Sequence, residues 1–182
     1  MMKDVIKSKI TAYYNRQISA AELRASLSEY YPERNNLVRN TFAELLESKD
    51  SKEVYYALDL LWIFEEKKDE YIDLLHTLLL EPWHSQYENL AHNLQYRKNP
   101  LSIPYLKAAM QKKYDSLESY GTGTRQFINQ CGHALWSINT KEAIDTIREL
   151  STAADPVLKD EMLYRLSRIE GRNDYERDYD LE

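Results

Sequence analysis

HNLQYRKNPLSIPYL, residues 92–106, and HALWSINTKEAIDTI, residues 133–147, are the two stretches whose comparison decides the fold. Shifted by 41 residues, they place His92 on His133, Leu94 on Leu135, Ile103 on Ile144 and Leu106 on Ile147. Within each stretch, apolar side chains recur at helical spacing, stop at a short polar break and resume at the same spacing. A helix, a tight turn and a second helix therefore occur twice. Such a pair cannot bury its apolar stripes alone, and stacking against the next pair supplies the core.

The same pattern extends outward in both directions. Ser19 with Glu22, Asp50 with Glu53, and Ser85 with Glu88 have the spacing of a capping box, and each precedes an apolar-periodic run. Asp155-Pro156 sets a cap and a first-turn proline ahead of VLKDEMLYRLSRI. The spacing predicts helices near 3–16, 20–30, 34–48, 51–66, 69–80, 85–97, 103–115, 125–138, 141–151 and 156–169. No stretch alternates with period two, and no Asn-Gly or Asp-Gly hairpin signal is present. A 41-residue period has the length of HEAT or armadillo units. The expected architecture is all-α: about ten helices in HEAT-like helical-hairpin repeats stacked as a short right-handed solenoid. One domain is expected over 1–170, with N-terminal helices in 1–48, repeats in 50–170 and an acidic tail in 171–182. Trp62, Leu135 and Leu163, each mid-helix in an apolar stripe, are expected in the core, as is Tyr71.

Composition narrows the function classes. Hydrophobic residues form 43% of the 182 and charged ones 30%, too apolar for a disordered chain. Only 4 Gly and 5 Pro occur, which favours long regular segments. The net charge of -6 argues against nucleic acid as ligand, because phosphate binding needs a basic face. Five of the 30 acidic and two of the 24 basic residues lie in 171–182, leaving 25 acidic against 22 basic elsewhere. A local basic patch at Lys107, Lys112 and Lys113 is compatible with that balance. Residues 1–10 lack the layout of a signal peptide, and no apolar run is long enough to span a bilayer. The single Cys131 cannot form an internal disulfide. A cytoplasmic protein is expected, without cofactor and without membrane or nucleic-acid contact.

Residues with chemical potential have structural readings that outweigh the catalytic ones. His84, Glu88 and His92 are four apart, yet the outer two would stand roughly 12 Å apart along a helix, too far to share an ion. Cys131 and His133 are two apart and point to opposite sides of a helix, so a buried structural thiol is expected. Gly121-Thr-Gly-Thr124 resembles an anion-binding turn but lacks the preceding strand and the lysine of a phosphate loop, and reads as an inter-repeat turn with Thr124 as N-cap. No carboxylate pair in an apolar setting and no Ser/His/Asp grouping emerges, and no enzymatic activity is expected.

The aromatic content is unusual in kind: 15 Tyr and 3 Trp against 3 Phe. Tyr and Trp are rigid and amphipathic and are enriched at interface centres. Tyr13-Tyr14, Tyr30-Tyr31, Tyr55-Tyr56 and Trp83 with Tyr87 cannot all point inward, so some surface aromatics are expected.

The stretch EPWHSQYENLAHNLQYRKNPLSIPYLKAAM, continued by QCGHALWSINTKEAIDTIREL, resembles bacterial HEAT-repeat proteins found among immunity proteins of polymorphic toxin systems. The matching positions are Trp83-His84, Glu88, Leu90-Ala91, Leu94-Gln95, Pro100, Leu106, Cys131, Ala134-Leu135, Ile138, Thr140 and Glu142-Ala143, within residues 70–169. Tyr87 and Asn89 stand where the family pattern has His and Asp, which removes two potential ligands. The resemblance implies a protein that binds and neutralises a cognate toxin domain, a basic one being complementary to this chain's charge. A general HEAT-repeat scaffold is the alternative, and a HEAT-like enzyme or cofactor-binding protein a third. The partner-binding residues expected from these features are Trp83, His84, Tyr87, Glu88, Tyr105, Tyr114 and Tyr120.

Overall fold

The computed structural model describes residues 4–119 and 123–172, and every described regular element is helical. Eleven α-helices occur among the described residues: α1 Asp4–Tyr14, α2 Ala20–Ser26, α3 Arg34–Ser48, α4 Glu53–Phe64, α5 Ile72–Leu79, α6 Tyr87–Arg97, α7 Ile103–Met110, α8 Asp115–Glu118, α9 Gly123–Ile138, α10 Lys141–Leu150 and α11 Pro156–Ile169. Two 3₁₀ turns, Ser28–Glu33 and Pro100–Ser102, complete the set. The acidic segment expected after Gly171 lies, from residue 173 onward, outside the described residues. Contacts divide the chain into two compact units, Met1–Leu74 and Leu75–Glu182, with the division falling inside α5.

In the first unit α3 and α4 form a hairpin, and α1 packs on both α2 and α4. The core is aliphatic with two phenylalanines: Ile6, Ile10, Leu23, Val38, Phe42, Leu61 and Phe64 are all nearly solvent-free. Ser19 forms the expected capping box, its hydroxyl accepting from Glu22 N at 3.2 Å while Glu22 accepts from Ser19 N at 2.7 Å. Asp50 does not cap α4. Its carboxylate accepts from Lys52 N at 3.0 Å, because α3 ends on Lys49 in the left-handed region (φ 53°) and the chain turns sharply there. The helix expected over 20–30 stops at Ser26, and the Pro32-containing segment continues as a 3₁₀ turn, since proline removes a donor. Tyr71 is buried as expected, its hydroxyl donating to Asn35 at 2.7 Å. Trp62 is not in the core: it is 48% exposed.

In the second unit α6, α9 and α11 lie side by side and run parallel. The Tyr87 and Phe127 rings are 5.7 Å apart and Gln130 donates to Gln95 at 2.5 Å, which fixes the direction of α9 on α6. Arg125 with Asp160 and His133 with Arg165 do the same for α11 on α9. Gly132 permits that last approach, because a Cβ there would come within 3.1 Å of Met162 Cε and 3.3 Å of Glu161 Oε1. The connections after α6 and α9 repeat each other. Lys98 and Asn139 both end their helices at φ 53°, and the following residues, Asn99 and Thr140, both accept a backbone N–H from the next helical turn. Those two pairs stand 41 residues apart. Leu94, Leu135, Leu106 and Ile147 are fully buried, whereas His92 is exposed and His133 and Ile144 only partly covered.

Several boundaries differ from expectation. The helix expected over 103–115 ends at Met110, and α8 forms separately. Gln86 begins α6 with no side-chain cap, so Ser85 is not the capping residue. Thr124 lies inside the first turn of α9 rather than before it, while Gly121 and Thr122 fall outside the described residues. Leu163 is half-buried, because α11 turns Met162 and Leu166 inward instead.

Candidate interaction surface

The expected partner-binding group divides sharply by burial. Tyr87, Tyr114 and His84 are buried, Trp83 is half-buried, and Glu88 and Tyr105 are exposed; Tyr120 lies outside the described residues. The buried members have a common task. A helix leaves its last four carbonyls without intrahelical donors, and Pro82, just beyond α5, has no N–H to contribute. Glu81 N reaches Leu78 O at 3.1 Å, and four side chains reach the consecutive carbonyls at and just past that end: His84 Nε2 donates to Leu78 O at 2.8 Å, Tyr114 to Leu79 O at 3.1 Å, Lys112 Nζ to Leu80 O at 2.9 Å, and Tyr87 to Glu81 O at 2.7 Å. Gln86 N donates to His84 Nδ1 at 3.1 Å, so the imidazole is neutral with its proton on Nε2. Burial holds the His84 pKa below its usual value and pushes the Tyr87 phenol up to about 12. The rings pack as well, with His84–Tyr87 centroids 4.3 Å apart and Tyr87–Tyr114 4.0 Å apart. These aromatics hold the end of α5, and their burial removes them from any binding face.

Exposed aromatics occur in both units, Tyr96, Tyr105 and Trp136 in the second and Tyr14, Tyr55 and Trp62 in the first, where two of them touch. On α4, Tyr55, Asp59 and Trp62 fall within roughly 60° of helical arc at 100° per residue, opposite Ala57 and Phe64. Tyr14 of α1 joins them, its ring 5.4 Å from that of Tyr55 and its hydroxyl donating to Asp59 Oδ1 at 2.6 Å. Tyr13 and Tyr56 extend the row, at 5.3 Å from Tyr14 and 5.9 Å from Tyr55. Tyr14 is 49% exposed and Tyr55 37%, so ring surface is open although the Tyr14 hydroxyl is tucked in. Asp59 Oδ2 is buried without a hydrogen-bond partner among the described residues. Desolvation pushes the Asp59 pKa up to about 6, with the Tyr14 hydrogen bond pulling the other way. The chain's own cations flank the row: Lys7 lies 6.0 Å from the Tyr56 ring and Arg24 5.6 Å from that of Trp62. Sequence reading named Tyr13-Tyr14 and Tyr55-Tyr56 as pairs that must present surface rings. It missed Trp62 and Asp59, which the α4 helical arc identifies.

Other groups have structural roles in the geometry. Ser102 Oγ and His76 Nε2 are 2.9 Å apart, a nucleophile–base distance, but both are shut off from solvent and the pair ties α7 to α5. Cys131 is buried, which pushes its thiol well above the reactive range, in accord with a structural role. No group of three His, Cys, Asp or Glu among the described residues has metal-binding geometry. Lys107 pairs with Glu149 at 2.7 Å, while Lys112 donates to the neutral Leu80 carbonyl and keeps its charge at the surface. Glu88 and His92 border a polar cleft between α6 and α9 with Ser85, Gln86, Asn89 and Gln130. No helix among the described residues is long and apolar enough to cross a membrane.

Comparison with family models, with curated proteins and with solved structures finds no match to this chain.

Proposed function

We propose that this chain is a cytoplasmic binding protein of HEAT-like helical hairpins that captures and neutralises a bacterial toxin domain, acting by contact and not by catalysis. The observation that carries the binding role is the open aromatic row of Tyr14, Tyr55 and Trp62. Large rings at half exposure are the side chains that dominate interface energetics when a partner desolvates them, and here Tyr14 and Tyr55 pack on one another while Trp62 lies on the same arc of α4 as Tyr55. The repeat reading for residues 50–170 is supported by the 41-residue correspondence of the Lys98-Asn99 and Asn139-Thr140 turns and by the parallel run of α6, α9 and α11. Toxin as the class of partner is supported by the resemblance of residues 70–169 to immunity proteins.

Expressing the product of any adjacent toxin-like gene with and without this chain tests the proposal. Protection from growth arrest and a stable stoichiometric complex are expected. A complex without protection replaces neutralisation with a scaffold role, and absence of any complex overturns the toxin assignment.

A further inference from the structure

We propose that the row of Tyr14, Tyr55 and Trp62 around Asp59 binds a guanidinium side chain presented by a protein partner. The inference rests on the binding role proposed above and names the chemistry that the row selects. Aromatic faces attract cations through their quadrupole, and Arg is the cation most often found over them. Two rings at the ends of this row already carry one each, Lys7 near Tyr56 and Arg24 near Trp62, so the row accepts cations in this fold. Between those ends, Tyr14 and Tyr55 have open ring surface and no cation of the chain is placed over either among the contacts described.

Asp59 sets the sign of the site. Its carboxylate lies behind the rings and holds the Tyr14 phenol at 2.6 Å, a short charge-assisted hydrogen bond that pushes electron density into the ring. A cation over Tyr14 and Tyr55 therefore meets both the ring faces and the field of a carboxylate in reduced dielectric. Lys7 pairs with Glu53 at 2.6 Å rather than with Asp59. An anion is repelled by the same arrangement, and a neutral aliphatic group gains only contact area. Guanidinium is preferred to ammonium because its planar, weakly hydrated surface stacks on a ring.

The test uses the full chain and two N-acetylated, amidated tetrapeptides, one of arginine and one of citrulline, which keeps the planar shape but replaces the charge and two of the five N–H donors by a neutral carbonyl. Ring signals of Tyr14, Tyr55 and Trp62 are followed by NMR during each titration. The arginine peptide is expected to shift those signals and to bind at least about fivefold more tightly than the citrulline peptide, the ratio that about 1 kcal/mol of cation–π and charge attraction produces. Asp59→Asn, with an unchanged circular dichroism spectrum, is expected to abolish most of that difference. Tyr55→Leu serves as a second variant that leaves Asp59 and Tyr14 in place and lowers affinity for the arginine peptide alone. Equal affinity for the two peptides, or arginine-induced shifts located elsewhere on the chain, overturns the guanidinium assignment. A toxin complex that survives Asp59→Asn with unchanged affinity overturns it too while leaving the binding role standing, whereas loss of the complex on removing the rings but not the charge points to purely apolar docking.

Discussion

Tyr87 and Tyr114 differ from Tyr14 and Tyr55 in what their hydroxyls meet. The first two donate to carbonyls at the end of α5; Tyr14 donates to a carboxylate and leaves its ring outside. Tyr87→Phe and Tyr114→Phe should each destabilise the protein by about 1–2 kcal/mol in urea unfolding, because a buried carbonyl loses a donor. Trp62→Ala, at an exposed position, should cost under about 1 kcal/mol in the same measurement. Titration gives opposite signs at two sites. The folded pKa of His84 lies below its usual 6.5, so the unfolded chain takes up the proton first and stability falls as pH drops below that value. Asp59 has a folded pKa near 6 against 3.8, so its contribution is most favourable below 3.8 and is lost as pH rises through 6. Asp59→Asn should therefore raise the urea midpoint at pH 7 and have little effect at pH 4. Sequence could not separate these two kinds of tyrosine. Whether a phenol is needed inside depends on carbonyls as much as 35 residues away, as for Tyr114 and Leu79, and no local pattern records that.

At the scale of elements, periodicity was informative where one apolar stripe met one neighbour and misleading where a helix is covered on most sides. Leu135 on α9 is fully buried as read, and Leu135→Ala should cost about 2–5 kcal/mol. Leu163 belonged to the same expectation, yet α11 presents Met162 and Leu166, and Leu163→Ala should cost clearly less. On α4 the buried positions run from Val54 through Phe64 over most of the circumference, so Trp62 beside Leu61 looked like core while occupying the one open arc. Capping was legible at Ser19 and Asp155, where the side chain reaches the helix N–H directly. It failed at Asp50 and Ser85, where the preceding turn takes the residue elsewhere or leaves it outside. The left-handed ends at Lys98 and Asn139 were not anticipated, since neither is glycine. Lys98→Gly should stabilise by about 0.5–1 kcal/mol in thermal or urea unfolding, relief of the left-handed strain outweighing the added freedom of the unfolded chain.

For the whole molecule, the helical spacing of apolar residues and the lack of period-two alternation were sound guides: all described regular structure is helical. The aromatic excess was a sound signal of open rings, and of the rings in the expected site Tyr87 and Tyr114 are buried while Tyr105 is open. Residues 84–87 and Tyr114 use rings to close the end of α5, while Tyr14 of α1 and Tyr55 and Trp62 of α4 are left in solvent. Binding should thus depend on residues 14, 55 and 62 and be insensitive to Glu88. The most direct measurement is isothermal titration of the purified product of an adjacent toxin-like gene with the wild-type chain and with a Tyr55→Ala, Trp62→Ala double variant of unchanged helicity. The account predicts a tight complex for the wild type and at least about tenfold weaker binding for the double variant. Equal affinities for the two proteins would contradict it.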